Sequence, residues 1–228
     1  MVPNHISDVD PLAIGYFLGS NGYEVRFLAK QELFKIPIVA QLMRAWRMLP
    51  VQRGTKDAME VLDAAKQALQ EGDVVGVYTE GTLTRNPGFW PMTGKTGAAR
   101  LALDTKVPVY PIVQWGSQYL MERYLGGLHF GGKPSLYAKV LPPVDLSDLT
   151  GDSSDHEGVN EATRRIQSAL LAGVANLRGE VPPVEPWDLR KYAGPSKKQV
   201  KSLSKWRNQL AKATGQRDIL PLDLDSER

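Results

Sequence analysis

Asn4-His5-Ile6-Ser7-Asp8-Val9-Asp10 places an imidazole five residues ahead of a carboxylate, and Pro11 follows. A neutral imidazole is the side chain best suited to take up a proton near neutral pH. It works best when a carboxylate fixes its tautomer and steadies the charge it acquires. The chain holds only three histidines, so His5 does not belong to a His-rich background. The same residues also describe a helix start, with Asp10 as an acidic N-cap and Pro11 at the first helical position, or with Ser7 as the cap. Alone, the pair supports either reading.

A second cluster is Tyr78-Thr79-Glu80-Gly81-Thr82-Leu83-Thr84-Arg85. It follows the apolar run Val74–Tyr78, which reads as a buried strand. Ligands of open α/β sheets bind beyond the carboxyl ends of strands. Gly81 lets a backbone approach closely, Thr82 and Thr84 offer hydroxyls, and Arg85 offers a planar fork for phosphate oxygens. A plain strand-to-loop turn with a capping threonine fits this cluster equally well. Lys30-Gln31-Glu32-Leu33, with Arg44 and Arg53 downstream, can line an anion pocket or form an ordinary solvated face. Gly94-Lys95-Thr96 does not make a phosphate loop. That motif has four residues between its first glycine and the Gly-Lys-Thr, whereas five separate Gly88 from Gly94 here and Pro91 interrupts them. The sequence has no Gly-x-Ser-x-Gly elbow and no Gly-x-Gly-x-x-Gly. His129 and His156 lack metal-ligand spacing, so no metal is expected.

The surrounding pattern alternates strands and helices, which argues for an α/β fold: a mixed, largely parallel sheet flanked by helices. Helices are expected over residues 11–18, 31–43 (crowded by Pro37), 55–71, 94–104 and 155–177. Strands are expected over 23–29, 48–51, 74–78, 107–113 and 136–140. In the 55–71 helix, Val61, Leu62, Ala65 and Leu69 form the apolar stripe and Gly72 closes it. Residues 1–179 read as the body. Residues 180–195, with Pro182, Pro183, Pro186 and Pro195, read as an extended linker. Residues 196–228 read as a basic tail whose 196–213 segment is an amphipathic helix: Val200, Leu203, Trp206 and Leu210 on one side, lysines on the other.

Composition narrows the chemistry. The 228 residues contain no cysteine, which excludes disulfides, thiolate nucleophiles and cysteine metal sites. The net charge of +3 is unevenly spread, because Ser196–Arg217 carries seven basic residues and no acid. The rest of the chain is mildly acidic. A basic tail seeks phosphates, on lipid or on nucleic acid; the apolar stripe of this one fits an interfacial helix on anionic lipid, docking on the body, or a segment that stays disordered, and the acidic body and the absence of a recognition motif argue against nucleic acid. No secretory leader is read at the start, and no apolar run approaches the roughly 20 residues of a spanning helix. A cytoplasmic protein, peripheral on the inner face of the cell membrane, is expected.

Taken in order, these blocks resemble the glycerolipid acyltransferase family that includes bacterial 1-acylglycerol-3-phosphate acyltransferases. The family's Asn-His-x4-Asp block is matched by Asn4, His5 and Asp10. Its lysine–acid–leucine block and later arginine are matched by Phe27-Leu28-Ala29-Lys30-Gln31-Glu32-Leu33, Pro37 and Arg53. Its Pro-Glu-Gly-Thr-Arg-Ser block is matched by Glu80-Gly81-Thr82, with Thr79 in place of proline, Leu83 in place of arginine and Arg85 two positions on. Its two-proline apolar strand is matched by Val107-Pro108-Val109-Tyr110-Pro111-Ile112. Ala40 stands where the family has glycine. The match spans about residues 3–145. The family carries several dozen residues before its histidine, so the resemblance implies that this sequence lacks that usual N-terminal segment.

The resemblance implies transfer of a fatty acyl group from acyl-CoA or acyl-carrier protein to the hydroxyl of a phosphorylated glycerolipid such as lysophosphatidic acid, with no other cofactor. It implies that His5 is the base and Asp10 its orienting acid. Arg53, Glu80, Gly81 and Thr82 would position the acceptor phosphate, with Arg85 and Lys30 as further candidates. The expected partners are the acyl thioester donor, the lysophospholipid acceptor and a membrane surface. A non-catalytic lipid- or anion-binding protein on the same fold is the alternative.

Overall fold

A computed structural model describes residues 1–51, 58–121, 134–191 and 202. Among these residues, six strands, β1 (Val2–Pro3), β2 (Val25–Lys30), β3 (Leu49–Val51), β4 (Val74–Gly76), β5 (Pro111–Trp115) and β6 (Tyr137–Val140), alternate with six α-helices. The helices are α1 (Asp10–Gly19), α2 (Pro37–Ala45), α3 (Ala58–Gln70), α4 (Gly97–Thr105), α5 (Ser117–Leu120) and α6 (His156–Arg178).

Ladders join the strands in two sets of three, in the orders β3-β2-β4 and β1-β5-β6. Met1 bridges the two sets: its N donates to the Val75 carbonyl at 2.9 Å and its carbonyl accepts from Val77 N at 3.0 Å. The result is one sheet of order β3-β2-β4-β1-β5-β6, parallel except for antiparallel β6. This is the mixed, largely parallel sheet expected from the alternation of elements. The crossovers between parallel strands are right-handed by strong preference. The leftward steps (β1 to β2, β2 to β3) therefore put α1 and α2 on one face, and the rightward steps put α3 and α4 on the other with α6.

The cores follow this division. Ile14, Leu18, Val25, Phe27, Met48 and Ile112 pack under α1 and α2. On the opposite face, Ala98, Ala102 and Leu103 of α4 meet Val159, Ile166, Leu170 and Val174 of α6, as the apolar stripe of the long C-terminal helix requires. Asp155 caps α6 by accepting from Gly158 N at 3.0 Å, and Gly179 closes it in the left-handed conformation.

Several elements differ from the sequence reading, each for a local reason. The helix expected over 31–43 is a 3-10 turn, Gln31–Lys35, followed by α2 with Pro37 in its first turn. Proline disfavours helical backbone at the residue before it, and Ile36 is extended at ψ 114°. The strand expected over 107–113 pairs over Pro111–Trp115, because Pro108 and Pro111 lack N–H donors and Pro111 can only open the ladder. The helix expected from Gly94 begins at Gly97. Within the expected linker, residues 187–191 lie against the body: Trp187 bridges to Met92, and its carbonyl accepts from Thr93 N at 3.0 Å. The amphipathic segment 196–213 lies outside the described residues except for Ser202.

Candidate active site

β1 and β4 are adjacent and parallel, so the chain leaves both at the same edge of the sheet. His5 follows β1 there and Glu80 follows β4. Two hydrogen bonds tie the exits together: His5 N donates to Glu80 Oε1 at 3.2 Å, and Thr84 N donates to the His5 carbonyl at 2.8 Å. The sequence motifs that stood 75 residues apart are thus one structure.

Asp10 decides between the two readings of its motif. It is the first residue of α1 rather than the cap; Val9 holds the cap position and makes no side-chain cap bond. The carboxylate turns back on the preceding loop. Its Oδ2 accepts from Ile6 N (2.6 Å), Ser7 N (2.9 Å) and His5 Nδ1 (2.9 Å), while Oδ1 accepts from Ser117 Oγ at 2.6 Å. Asp10 is fully buried. A carboxylate at that depth is stable only when hydrogen-bond donors replace its water, and four do. Because a carboxylate can only accept, His5 Nδ1 must carry the proton, which leaves a lone pair on Nε2. Nε2 makes no hydrogen bond among the described residues, and the His5 side chain is 16% exposed. The arrangement fixes the ring's tautomer and leaves Nε2 without a hydrogen-bond partner among the described residues, the form in which an imidazole can accept a proton.

A column of rings supports the imidazole. His5 stacks on Tyr78 with ring centres 4.1 Å apart, and Tyr78 stacks on Phe27 at 5.4 Å. Phe27 pairs with Gly76 across β2 and β4, and a Cβ at position 76 would come within 2.4 Å of the Phe27 ring. Glycine at this position therefore sets the height of the column. The Tyr78 hydroxyl is buried and makes no hydrogen bond among the described residues. Burial, followed by the negative charge of Asp10, holds its pKa well above the ordinary phenol value.

Glu80 is buried as well, but it serves as a staple. Its Oε1 accepts from His5 N, and its Oε2 accepts from Met92 N at 3.0 Å. Gly81, at φ +65°, closes the turn by donating to the Tyr78 carbonyl at 3.0 Å. The space over its α-carbon is taken by Lys95: a Cβ there would lie 3.0 to 3.2 Å from Cε, Nζ and Cδ of that side chain. Thr79 anchors the same loop, since its carbonyl accepts from Lys95 N (2.7 Å) and its hydroxyl from Gln167 Nε2 (2.8 Å). Lys95 is exposed, and Arg85 and Thr82 are half-buried. Neither cation forms an ion pair among the described residues. Two cations without ion pairs among the described residues and a tight glycine turn near the imidazole can attract an anion.

The structure thus brings together His5, Asp10, Glu80, Gly81 and Thr82, with Arg85 one residue from the Thr84–His5 bond. Lys30 ends β2 at the same sheet edge; its side chain lies outside the described set, as does Arg53 entirely. Sequence reasoning missed two residues. Lys95 belonged to the discarded Gly-Lys-Thr run, although a lysine shortly after a Glu-Gly-Thr turn was a usable signal. Ser117 lies 107 residues from its carboxylate partner, and no spacing could have joined them. It reaches Asp10 because Gly116 takes φ +108°, where a Cβ would collide with the Ser135 carbonyl at 2.1 Å. A second bond, Ser7 Oγ to the Met121 carbonyl at 2.6 Å, locks α5 onto the His-Asp turn.

Comparison with known proteins places the chain in a family. Residues 1–115 match the Acyltransferase family model, and the chain belongs to that family. It is 34% identical to an uncharacterized acyltransferase of Schizosaccharomyces pombe over 75% of this chain and 58% of that protein. It is 30% identical to the chloroplastic 1-acyl-sn-glycerol-3-phosphate acyltransferase BAT2 of Brassica napus, over 53% of this chain and 33% of the relative. The 1-acyl-sn-glycerol-3-phosphate acyltransferase of Bacillus subtilis is 28% identical over 49% of this chain and 53% of its own length. The chain therefore spans between a third and three fifths of these relatives. The crystal structure of the 1-acyl-sn-glycerophosphate acyltransferase PlsC of Thermotoga maritima shares the fold, with a TM-score of 0.56 at 24% identity over 80% of this chain and 67% of that one.

Proposed function

We propose that this chain acylates the free hydroxyl of a 1-acylglycerol-3-phosphate, drawing the acyl group from a thioester of coenzyme A or acyl-carrier protein. The observation that carries the reading is the open His5 Nε2, with its tautomer set by Asp10, beside the Glu80–Gly81 turn and the cations Lys95 and Arg85. The relatives named for this activity support it.

In this mechanism His5 Nε2 takes the proton of the acceptor hydroxyl as its oxygen attacks the thioester carbonyl. The C–O bond forms and the C–S bond breaks. The departing thiolate recovers the proton from His5, which returns the base to its starting state. Asp10 holds the ring and stabilises the imidazolium between the two transfers. Lys95, Arg85 and Thr82 bind the acceptor phosphate, and Arg53 and Lys30 join them by the family resemblance. Glu80 and Gly81 shape the turn that carries these groups. No acyl-enzyme is needed. The protein works at the cytoplasmic face of the membrane that holds its acceptor, with residues 1–179 as the catalytic body and 196–228 as an additional lipid-binding tail.

The test is coenzyme A release from acyl-CoA by the purified full chain, with and without lysophosphatidic acid. Acceptor-dependent release that His5→Ala abolishes is expected. Acceptor-independent release, or release unchanged in His5→Ala, overturns the reading.

A further inference from the structure

Arg178, the last residue of α6, is a cation whose side chain is only 3% exposed. Its guanidinium lies over two indoles: Cζ is 4.1 Å from the ring centre of Trp90 and 4.3 Å from that of Trp115. Nη1 donates to the Gly88 carbonyl at 2.7 Å, and Nη2 donates to the Glu180 carboxylate. A cation that only served the C-terminal end of its helix, or only paired with Glu180, would stay in water. This one is instead buried against two loops that belong to other elements.

The two indoles stand in different halves of the site. Trp90 lies in the 79–95 loop, where its carbonyl accepts from the Thr84 hydroxyl at 2.6 Å. Thr84 N in turn bonds the His5 carbonyl, and Arg85 follows. Trp115 ends β5, and bonds on both sides of it lead to the base. Before it, Gln114 is locked to Asn4, the neighbour of His5: Gln114 N donates to Asn4 Oδ1 at 2.8 Å, and Gln114 Nε2 donates to the Asn4 carbonyl at 3.0 Å. After it, Ser117 holds Asp10. Trp115 therefore moves with the base, and Trp90 moves with the anion loop. Phe89 adds a direct contact between them, edge-on to Trp115 with ring centres 6.1 Å apart. It takes φ +59°, a conformation that a residue other than glycine keeps only when its surroundings hold it.

The fold delivers Arg178 to this junction. Gly173 lets α6 lie close on β5, since a Cβ there would come within 2.4 Å of Leu141 and 2.8 Å of Val113. Just over one turn later the helix ends beside Trp115, at the sheet edge where His5 and Glu80 lie.

We infer that Arg178 is a positioning residue, which fixes the anion loop against the His5–Asp10 turn by joining Trp90 and Gly88 to Trp115. This rests on the acyltransferase reading for its kinetic consequence. Each half of the site is built by its own bonds: Asp10 holds the ring, while Glu80–Met92 and Thr79–Lys95 shape the loop. Loss of Arg178 leaves each half intact and changes the distance between them. A bound acceptor then presents its hydroxyl off line from His5 Nε2, and small misplacements of reacting groups are costly.

Arg178→Met, which fills the slot without donating to Gly88, tests the assignment in the full chain. Its kcat should fall by about 10- to 100-fold, while the acceptor KM and the shape and position of the pH profile of kcat/KM stay as in the unaltered chain. Arg178→Lys keeps the charge but has no planar group to lie over two rings, so it should show the same pattern with a smaller loss. It also serves where the methionine variant does not fold. A lowered unfolding midpoint with kcat intact in the folded variant makes Arg178 merely structural and overturns the inference. A rise confined to KM also overturns it, by moving Arg178 into anion binding. Amide hydrogen exchange reads the same junction without catalysis. In either variant the Thr84 N–H should exchange about tenfold faster, with the Phe27 N–H in the middle of the sheet unchanged. Unchanged exchange at Thr84, or equal acceleration at both, contradicts the assignment. If the unaltered chain transfers no acyl group, the enzymatic reading falls and the exchange measurement still decides whether Arg178 holds the two halves together.

Discussion

Asp10 and Glu80 are two buried carboxylates that hydrogen-bond the same histidine, one at its ring and one at its backbone N–H, and their remaining partners differ. Asp10 spends three of its four hydrogen bonds on backbone N–H groups and Ser117, and the fourth on His5 Nδ1. Glu80 accepts backbone N–H groups of His5 and Met92, joining the strand exits. The contrast extends to the segments around them. The His5–Asp10 turn is largely buried and is clamped by α5. The 79–95 loop is stapled from below while Lys95 and Arg85 stand open above. A base must be held rigidly in one tautomer, whereas an anion site must keep its cations free until the anion arrives. The proposed mechanism assigns the first need to the His5–Asp10 turn and the second to the 79–95 loop.

Variants can break this contrast, in descending order of effect. Asp10→Asn keeps the shape but gives His5 Nδ1 an amide partner that can present N–H in place of an acceptor. Its kcat should fall by about 10²–10⁴-fold, with the acceptor KM little changed. A loss confined to KM would move Asp10 into the binding half. Lys95→Ala should do the reverse, raising the KM for a phosphorylated acceptor by about 10- to 100-fold, the worth of one charge-assisted hydrogen bond, with kcat nearly intact. Steady-state kinetics at varied acceptor check both. Ser117→Ala leaves Asp10 Oδ1 without its side-chain donor. It should cost about 1.5–3 kcal/mol of stability in urea unfolding and roughly tenfold in kcat. An unchanged unfolding midpoint would show that Oδ1 needs no partner.

The smallest effect lies outside the site. Arg164 and then Arg165 hydrogen-bond Glu161 and pull its carboxyl from 4.5 to about 2. A carboxylate depressed by folding adds stability above its unfolded pKa and loses it as pH falls through the folded one. Unfolding midpoints should therefore decline between pH 4.5 and about 2, and Glu161→Gln should show a shallower decline with catalysis untouched.

What the sequence revealed depended on distance along the chain. His5 and Asp10 are five residues apart, and Glu80, Gly81 and Thr82 are contiguous, so both blocks stood out as patterns. The parallel sheet followed from alternating apolar segments. The splitting of the 31–43 helix was signalled by Pro37 but not resolved, because proline marks either a kink or a helix start. Ser117 and the Gly76–Phe27–Tyr78 support of the imidazole depend on register between distant strands, which local pattern does not carry. Lys95 was visible but was assigned to a motif whose spacing failed.

The central claim is that His5 acts as the proton acceptor in direct acyl transfer. Its most direct test is the single-turnover rate of His5→Ala with and without added imidazole. The account expects a rate reduced by about 10²–10⁴-fold that imidazole partly restores, because the ring's cavity between Asp10 and Tyr78 remains. A variant that transfers acyl groups at the wild-type rate without imidazole would contradict it.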